Sequence, residues 1–137
     1  MNIQWYPGHM TKTRRQMEQD IRMVDAVCEI VDARIPLASR NPDIDSICGD
    51  KPRMVILNRI DMADPAATKA WAAWFRSRGM MVLETDCKNR KGTNQFAPKV
   101  RELLKEKIRR YQEKGQIGRT IRVMVVGIPN VGKSTFI

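Results

Sequence analysis

Ile121-Arg122-Val123-Met124-Val125-Val126 runs straight into Gly127-Ile128-Pro129-Asn130-Val131-Gly132-Lys133-Ser134-Thr135-Phe136-Ile137, and this junction decides how the rest of the chain reads. The first six residues are a β-rich, largely apolar run that predicts a strand. The residues after it match G-x-x-x-x-G-K-[ST], a phosphate-cradling loop. Gly127 and Gly132 allow the backbone to curl so that several N–H groups point at one phosphate. Lys133 is placed to reach the β- and γ-phosphates as a point charge, and the Ser134 hydroxyl is placed to ligate Mg²⁺. A helix is expected next, its N-terminus adding partial positive charge. The candidate phosphate-binding residues are therefore Asn130, Val131, Gly132, Lys133, Ser134 and Thr135, with Ser134 the candidate metal ligand. The competing reading is a plain Gly/Pro/Asn turn after a buried strand. Lys and Ser both correctly placed behind a strand weigh against it.

Working back from that junction, apolar strands alternate with helical stretches. Ala26–Val31, Met54–Leu57 and Met80–Leu83 are short buried runs. Met17, Ile21 and Val24 continue a stripe begun by Met10, so residues 11–23 are expected to be helical. Lys12, Arg14, Arg15 and Arg22 lie largely off that stripe, either as a solvated face or as a phosphate-contacting one. Asn41-Pro42 and Asp64-Pro65 are N-cap and first-turn pairs for two further helices, closed by Gly49 and Gly79. In the second of these, Trp71, Trp74, Phe75 and Arg78 share one side. An aromatic cluster on a helix between two strands reads as core rather than as a base-stacking platform. A long helix is expected from about Gln95 to Lys114, and Pro7-Gly8 reads as a turn. Alternating strands and helices imply right-handed βαβ units and a mostly parallel, three-layer α/β fold. Ligands on such sheets sit beyond the C-terminal strand ends. Asp32, Asn58–Asp61, Thr85–Lys88 and the loop at Gly127 all follow strands and are expected to share one rim.

Composition narrows the function classes. The 137 residues suffice for one domain with a real core. No apolar run approaches the ~18–20 residues of a membrane span. Met1–Trp5 lacks the layout of a signal or transit peptide, so a cytoplasmic protein is expected. Cys28, Cys48 and Cys87 are widely spaced with no C-x-x-C pair, which favours reduced thiols over disulfides or zinc. A single histidine excludes a His-rich metal centre. The net charge of +10 points to a polyanionic partner, most simply RNA. The alternative is a merely soluble basic protein.

Two further elements carry base recognition. Asn58-Arg59-Ile60-Asp61 resembles the N-K-x-D element with which GTPases read guanine. Guanine presents two donors, N1–H and its 2-amino group, and one carboxylate such as that of Asp61 accepts both. Asn58 would hold the loops and contact the base, and the stem of Arg59, where the motif has Lys, would cover its face. Thr85-Asp86-Cys87-Lys88 resembles the T-S-A-K element, whose backbone N–H receives guanine O6. Cys87 falls at the small position, Lys88 matches, and Asp86 replaces Ser. In ordinary small GTPases the phosphate loop comes first and these elements last. Here the order is inverted, as in a circularly permuted GTPase.

Together with Trp5-Tyr6-Pro7-Gly8-His9-Met10 and Asp32-Ala33-Arg34-Ile35-Pro36, these motifs resemble the bacterial ribosome biogenesis GTPase A family, the YlqF/RbgA type, across essentially all of the sequence. The resemblance implies a circularly permuted P-loop GTPase that hydrolyses GTP to GDP. It also implies action in late assembly of the large (50S) ribosomal subunit, with the subunit precursor and rRNA as partners and Mg²⁺ as cofactor. Asn130 matches the P-loop asparagine of GTPases that use K⁺ as an activating ion. His9 matches the histidine assigned the catalytic role in place of the usual switch glutamine. Residues 1–137 are then expected to be the N-terminal part of the GTPase domain, ending just after the P-loop. The switch regions and a C-terminal RNA-binding domain would lie outside them, and this part alone is expected not to hydrolyse GTP. Two other readings stay open: an RNA-binding module with a vestigial nucleotide site, and an unpermuted ATP-using P-loop enzyme.

Overall fold

The apolar runs pair into a five-stranded, all-parallel sheet in the computed structural model, which describes residues 3–8, 14–40, 44–86, 89–115 and 120–127. In chain order the elements are β1 (Ile3–Gly8), α1 (Arg14–Ile21), β2 (Ala26–Asp32), α2 (Ile44–Cys48), β3 (Arg53–Asn58), α3 (Pro65–Ser77), β4 (Met81–Glu84), α4 (Phe96–Leu103), α5 (Lys105–Glu113) and β5 (Ile121–Val126). Short 3₁₀ turns at Ile60–Met62 and Thr93–Gln95 precede α3 and α4. The strand order is β1-β5-β2-β3-β4. The last strand in sequence thus lies inside the sheet, beside β2.

The period-2 alternation of each strand sorts its side chains between two helical layers. Ala26, Cys28, Ile30, Met54, Ile56, Val123 and Val125 meet Phe96, Val100 and Leu104 on the α4/α5 side. On the opposite side, Val27, Met124 and Val126 pack with Met17, Ile21 and Ile47 from α1 and α2. Val31, Val55, Leu57 and Val82 pack there with Ala72 and Phe75 of α3. Both faces are covered, which is why the strands read as continuous apolar runs.

Several expectations change in detail. Ile3–Gly8 is a strand, so Pro7-Gly8 ends an extended segment instead of forming a turn. Pro7 lies opposite Val125. Proline cannot donate to a ladder and is tolerated because β1 is an edge strand. β2 and β3 run one residue further than expected, through Asp32 and Asn58. The helix expected over 95–114 is divided at Leu104 into α4 and α5, because the φ of −104° and ψ of 16° there leave the helical basin. Its amide still reaches Val100 O at 3.0 Å, and its carbonyl still accepts from Ile108 at 2.9 Å. Asp64 caps α3 as expected, accepting from Ala67 N–H at 2.8 Å. Gly79 closes that helix at φ +82°. In the α3 aromatic cluster Phe75 is fully buried, while Trp71 and Trp74 are half-buried against it. The Asn41-Pro42 cap lies outside the described residues.

Candidate functional site

A parallel sheet delivers the ends of its strands to one edge. Asp32 at the end of β2 lies opposite Asn58 at the end of β3, and Leu57 lies opposite Glu84 near the end of β4. Val126, the last residue of β5, lies opposite Glu29 of β2 and Gly8 of β1. The chain therefore leaves β5 toward the same edge, and β1 ends beside it at Gly8.

The loops after β2, β3 and β4 are stitched together at this edge. Asn58, 2% exposed, accepts at Oδ1 a hydrogen bond from the Thr85 hydroxyl at 3.2 Å. Thr85 N–H donates to Leu57 O at 2.8 Å, and Thr85 O accepts from Ile60 N–H at 3.3 Å. Ala33 N–H donates to Asn58 O at 2.8 Å. Arg59 sits at φ 63° and ψ 38°, a left-handed conformation that costs a side-chain-bearing residue about 1–2 kcal/mol. The turn that follows leaves Asp61 exposed. A cleft of about 570 Å³ opens against this turn, lined by Ile60, Pro65, Ala66, Thr68, Lys69 and Glu84.

Asp32 is a buried charge of the cluster. Its Oδ1 accepts from the Arg34 backbone N–H at 2.9 Å and from Arg34 Nε at 3.0 Å, and its Oδ2 accepts from Arg34 Nη2 at 2.6 Å. Arg59 Nη1 lies 3.6 Å from the same Oδ2. Burial pushes the Asp32 carboxyl up, but hydrogen bonds from Arg34 and the charges of Arg34 and Arg59 outweigh it and hold it below the usual carboxylate range. Arg34 is pushed further up by its hydrogen bonds to Asp32 and, more weakly, by the charge of Asp61. Among the described residues no group of three or more His, Cys, Asp or Glu side chains could hold a metal ion.

Of the residues singled out from the sequence, Asn58, Arg59, Asp61 and Asp86 come together at this edge. Asp86 is 3% exposed and exchanges backbone hydrogen bonds with Lys91 at 2.9 Å each. Its carboxylate accepts from the Asn89 backbone and side-chain N–H groups, so it shapes the loop from within. Cys87, Lys88, His9, Asn130, Val131, Gly132, Lys133, Ser134 and Thr135 lie outside the described residues. Sequence reasoning missed Thr85 as the partner of Asn58, Asp32 as the anchor of two arginines, and strand β1. The β-rich residues Ile3, Trp5 and Tyr6 were the available signal for β1. No local signal pairs Asp32 with Arg59, 27 positions away.

No protein-family profile matches the chain. The chain is 50% identical over its whole length to ribosome biogenesis GTPase A of Priestia megaterium, covering 48% of that protein. It is equally similar to the protein of that name from Bacillus licheniformis, again covering 48% of it. It is 37% identical, over 97% of its length, to mitochondrial ribosome-associated GTPase 1 of Mus musculus, covering 40% of that protein. GNP-bound YlqF from T. maritima superimposes with a TM-score of 0.62 at 32% identity, over 90% of this chain and 45% of that one. The GDP-bound structure of YlqF gives 0.61 at 33% identity, over 88% and 45%. The chain thus spans about half the length of the proteins it matches. Its α/β architecture is that of the circularly permuted P-loop GTPases.

Proposed function

We propose that this chain, homologous along its whole length to proteins named ribosome biogenesis GTPase A, is the guanine-reading and phosphate-holding part of a GTPase acting in late assembly of the bacterial large ribosomal subunit. The observation that carries this reading is the stitching of two base-reading elements at one sheet edge. The Asn58–Thr85 hydrogen bond ties the loops after β3 and β4, and β5 enters the phosphate motif toward the same edge.

In this reading the Asp61 carboxylate accepts both N–H donors of guanine. Asn58 braces the loop, the Arg59 stem covers the ring, and Asp86 shapes the loop whose Cys87–Lys88 backbone donates to O6. Asn130 to Thr135 wrap the phosphates and Lys133 meets their charge. The Ser134 hydroxyl is a hard oxygen donor suited to Mg²⁺. Ser134 would hold that ion, whose chemistry there would be neutralisation of phosphate charge. Asn130 is the candidate K⁺-linked residue. The strands that precede His9 and the phosphate motif end opposite one another, at Gly8 and Val126, which favours His9 as the group that orients the attacking water. Hydrolysis is proposed for the full-length protein, and residues 1–137 alone are expected to show none. The proposed setting is the cytoplasm, with rRNA of the subunit precursor as partner. No helix among the described residues is long and apolar enough to cross a membrane.

The decisive measurement is equilibrium nucleotide binding to the full-length protein and its Asp61→Asn variant. Two charge-assisted hydrogen bonds, each about 1.5–3 kcal/mol, are lost from guanine, so GDP affinity should fall by at least about a hundredfold. Xanthine-nucleotide affinity should rise, because the amide can donate where the 2-oxo group accepts. Unchanged GDP binding, or a parallel loss with xanthine, would overturn the assignment. In the same protein His9→Ala should leave GTP affinity within about threefold and reduce ribosome-stimulated turnover on the order of a hundredfold. Wild-type turnover would remove His9 from the mechanism. A protein that binds ribosomal particles but no nucleotide would instead be an RNA-binding module with a vestigial site.

A further inference from the structure

We infer that Asp32 is a positioning residue for the base-reading loop, holding the Arg59 guanidinium so that the aliphatic stem of Arg59 lies against the bound base. The inference rests on the reading of Asn58–Asp61 as that loop. Asp32 belongs to a different loop, and its carboxylate makes no direct contact with a nucleotide in this scheme.

The geometry supports a dedicated anchor. Asp32 is 3% exposed and already has a full partner in Arg34, which meets both carboxylate oxygens and adds its backbone N–H. One guanidinium suffices to neutralise one buried carboxylate. Arg59 brings a second positive charge from the neighbouring strand end, 3.6 Å from Asp32 Oδ2. It does so from a backbone conformation that residues with side chains seldom adopt. The anchor is itself fixed. Asp32 N–H donates to the Ser39 hydroxyl at 2.9 Å, that hydroxyl donates to Pro36 O at 3.2 Å, and Ala33 N–H holds Asn58 O. The loop after β2 is thus clamped before Arg59 reaches it.

A free arginine side chain samples many rotamers, and ordering it only when ligand binds subtracts from affinity. A side chain whose charged end is already held loses little on binding. A long stem with a terminal charge fits this role, because its end can meet a carboxylate while its stem faces a ring.

The test is a double-mutant cycle in the full-length protein, read by equilibrium binding of a fluorescent GDP and checked by thermal unfolding. Asp32→Asn and Arg59→Ala should each weaken GDP about tenfold. The double variant should be no weaker than either single one, because both remove the same positioning. Arg59→Lys, which keeps a charge for Asp32, should stay within about threefold of wild type. Unchanged binding in Asp32→Asn, or losses that multiply to about a hundredfold in the double variant, would overturn the inference. If Asp32→Asn fails to fold, the Arg59 pair decides: a loss in Arg59→Ala that Arg59→Lys does not rescue also overturns it. Asp61→Asn runs in parallel. Wild-type GDP binding there would mean the loop assignment itself is wrong, whereas a loss there with none in Asp32→Asn removes only Asp32.

Discussion

Gly92 stands at φ +80°, and a Cβ there would lie 2.4 Å from the Glu84 carbonyl oxygen. Gly79 has nearly the same φ, +82°, but open space around the missing Cβ. The two glycines therefore separate backbone strain from steric clash. Gly79→Ala should cost only about 1 kcal/mol, the price of a left-handed alanine. Gly92→Ala adds a contact that real Cβ atoms do not make, against backbone at the end of β4, and should cost roughly 2–4 kcal/mol. Comparing the urea midpoints of the two variants checks this, and equal losses would contradict it. Because Gly92 closes the loop begun at Thr85, its variant should also weaken GDP binding. Arg40 is a second informative residue. It holds the buried Glu29 carboxylate through Nε at 3.0 and 3.1 Å and Nη2 at 2.9 Å. Burial pushes the Glu29 carboxyl up, and Arg40 only partly pulls it back. Arg40→Ala would leave that carboxylate without its main partner and should destabilise the protein by about 3–5 kcal/mol in chemical denaturation.

At the scale of elements, α5 is fastened to the sheet by one carboxylate. Asp25, just before β2, accepts from the Tyr111 hydroxyl at 3.0 Å and from the Arg122 backbone N–H at 2.9 Å, and it pairs with Lys107 at 2.9 Å. A helix, the start of β2 and the start of β5 thus share one anchor. Burial raises the Asp25 carboxyl, but the Arg122 N–H, Lys107 and the Tyr111 hydroxyl outweigh it and leave it below the ordinary range. A folded pKa below the unfolded value of ~3.9 means this stabilisation is present above about pH 4 and is lost as pH falls through the folded value. Asp25→Asn should therefore be less stable than wild type at neutral pH, with the gap narrowing toward about pH 3. Tyr111→Phe should cost about 1 kcal/mol. Urea midpoints measured across that pH range test both, and a gap that does not change with pH would argue against an ionic anchor. The sequence shows the apolar stripe of this helix but not its anchor, because Asp25 and Tyr111 are 86 positions apart.

For the whole molecule, the +10 charge is the property with the clearest consequence. Arg15 and Arg22 are exposed at the start and just beyond the end of α1, and Arg101, Lys105, Arg109, Arg110 and Lys114 are exposed along α4 and α5. If these meet rRNA phosphates, binding of the full-length protein to its ribosomal precursor should weaken steeply with added salt. Reversing Arg14 and Arg15 to Glu should weaken it further without changing GTP affinity. Salt-insensitive association would make the charge a solvated face only. The alternation of strands and helices, the parallel sheet and the shared edge of its strand ends were legible in the sequence. They rest on local periodicity, local caps and residue spacing, which need no knowledge of distant contacts. Strand β1 was only weakly legible: Ile3, Trp5 and Tyr6 favour a strand, but one that contains proline gains its ladder only from β5, more than a hundred residues later. The clustering of Asp32, Arg34 and Arg59 was not legible, since a buried carboxylate acquires its partners only when parallel pairing sets Asp32 opposite Asn58. Residue types and their order along the chain determined the alternating elements and the motifs on which the proposed chemistry rests. Tertiary structure alone decided which charges brace that sheet edge, because burial and pairing belong to the folded sheet and not to any segment of it.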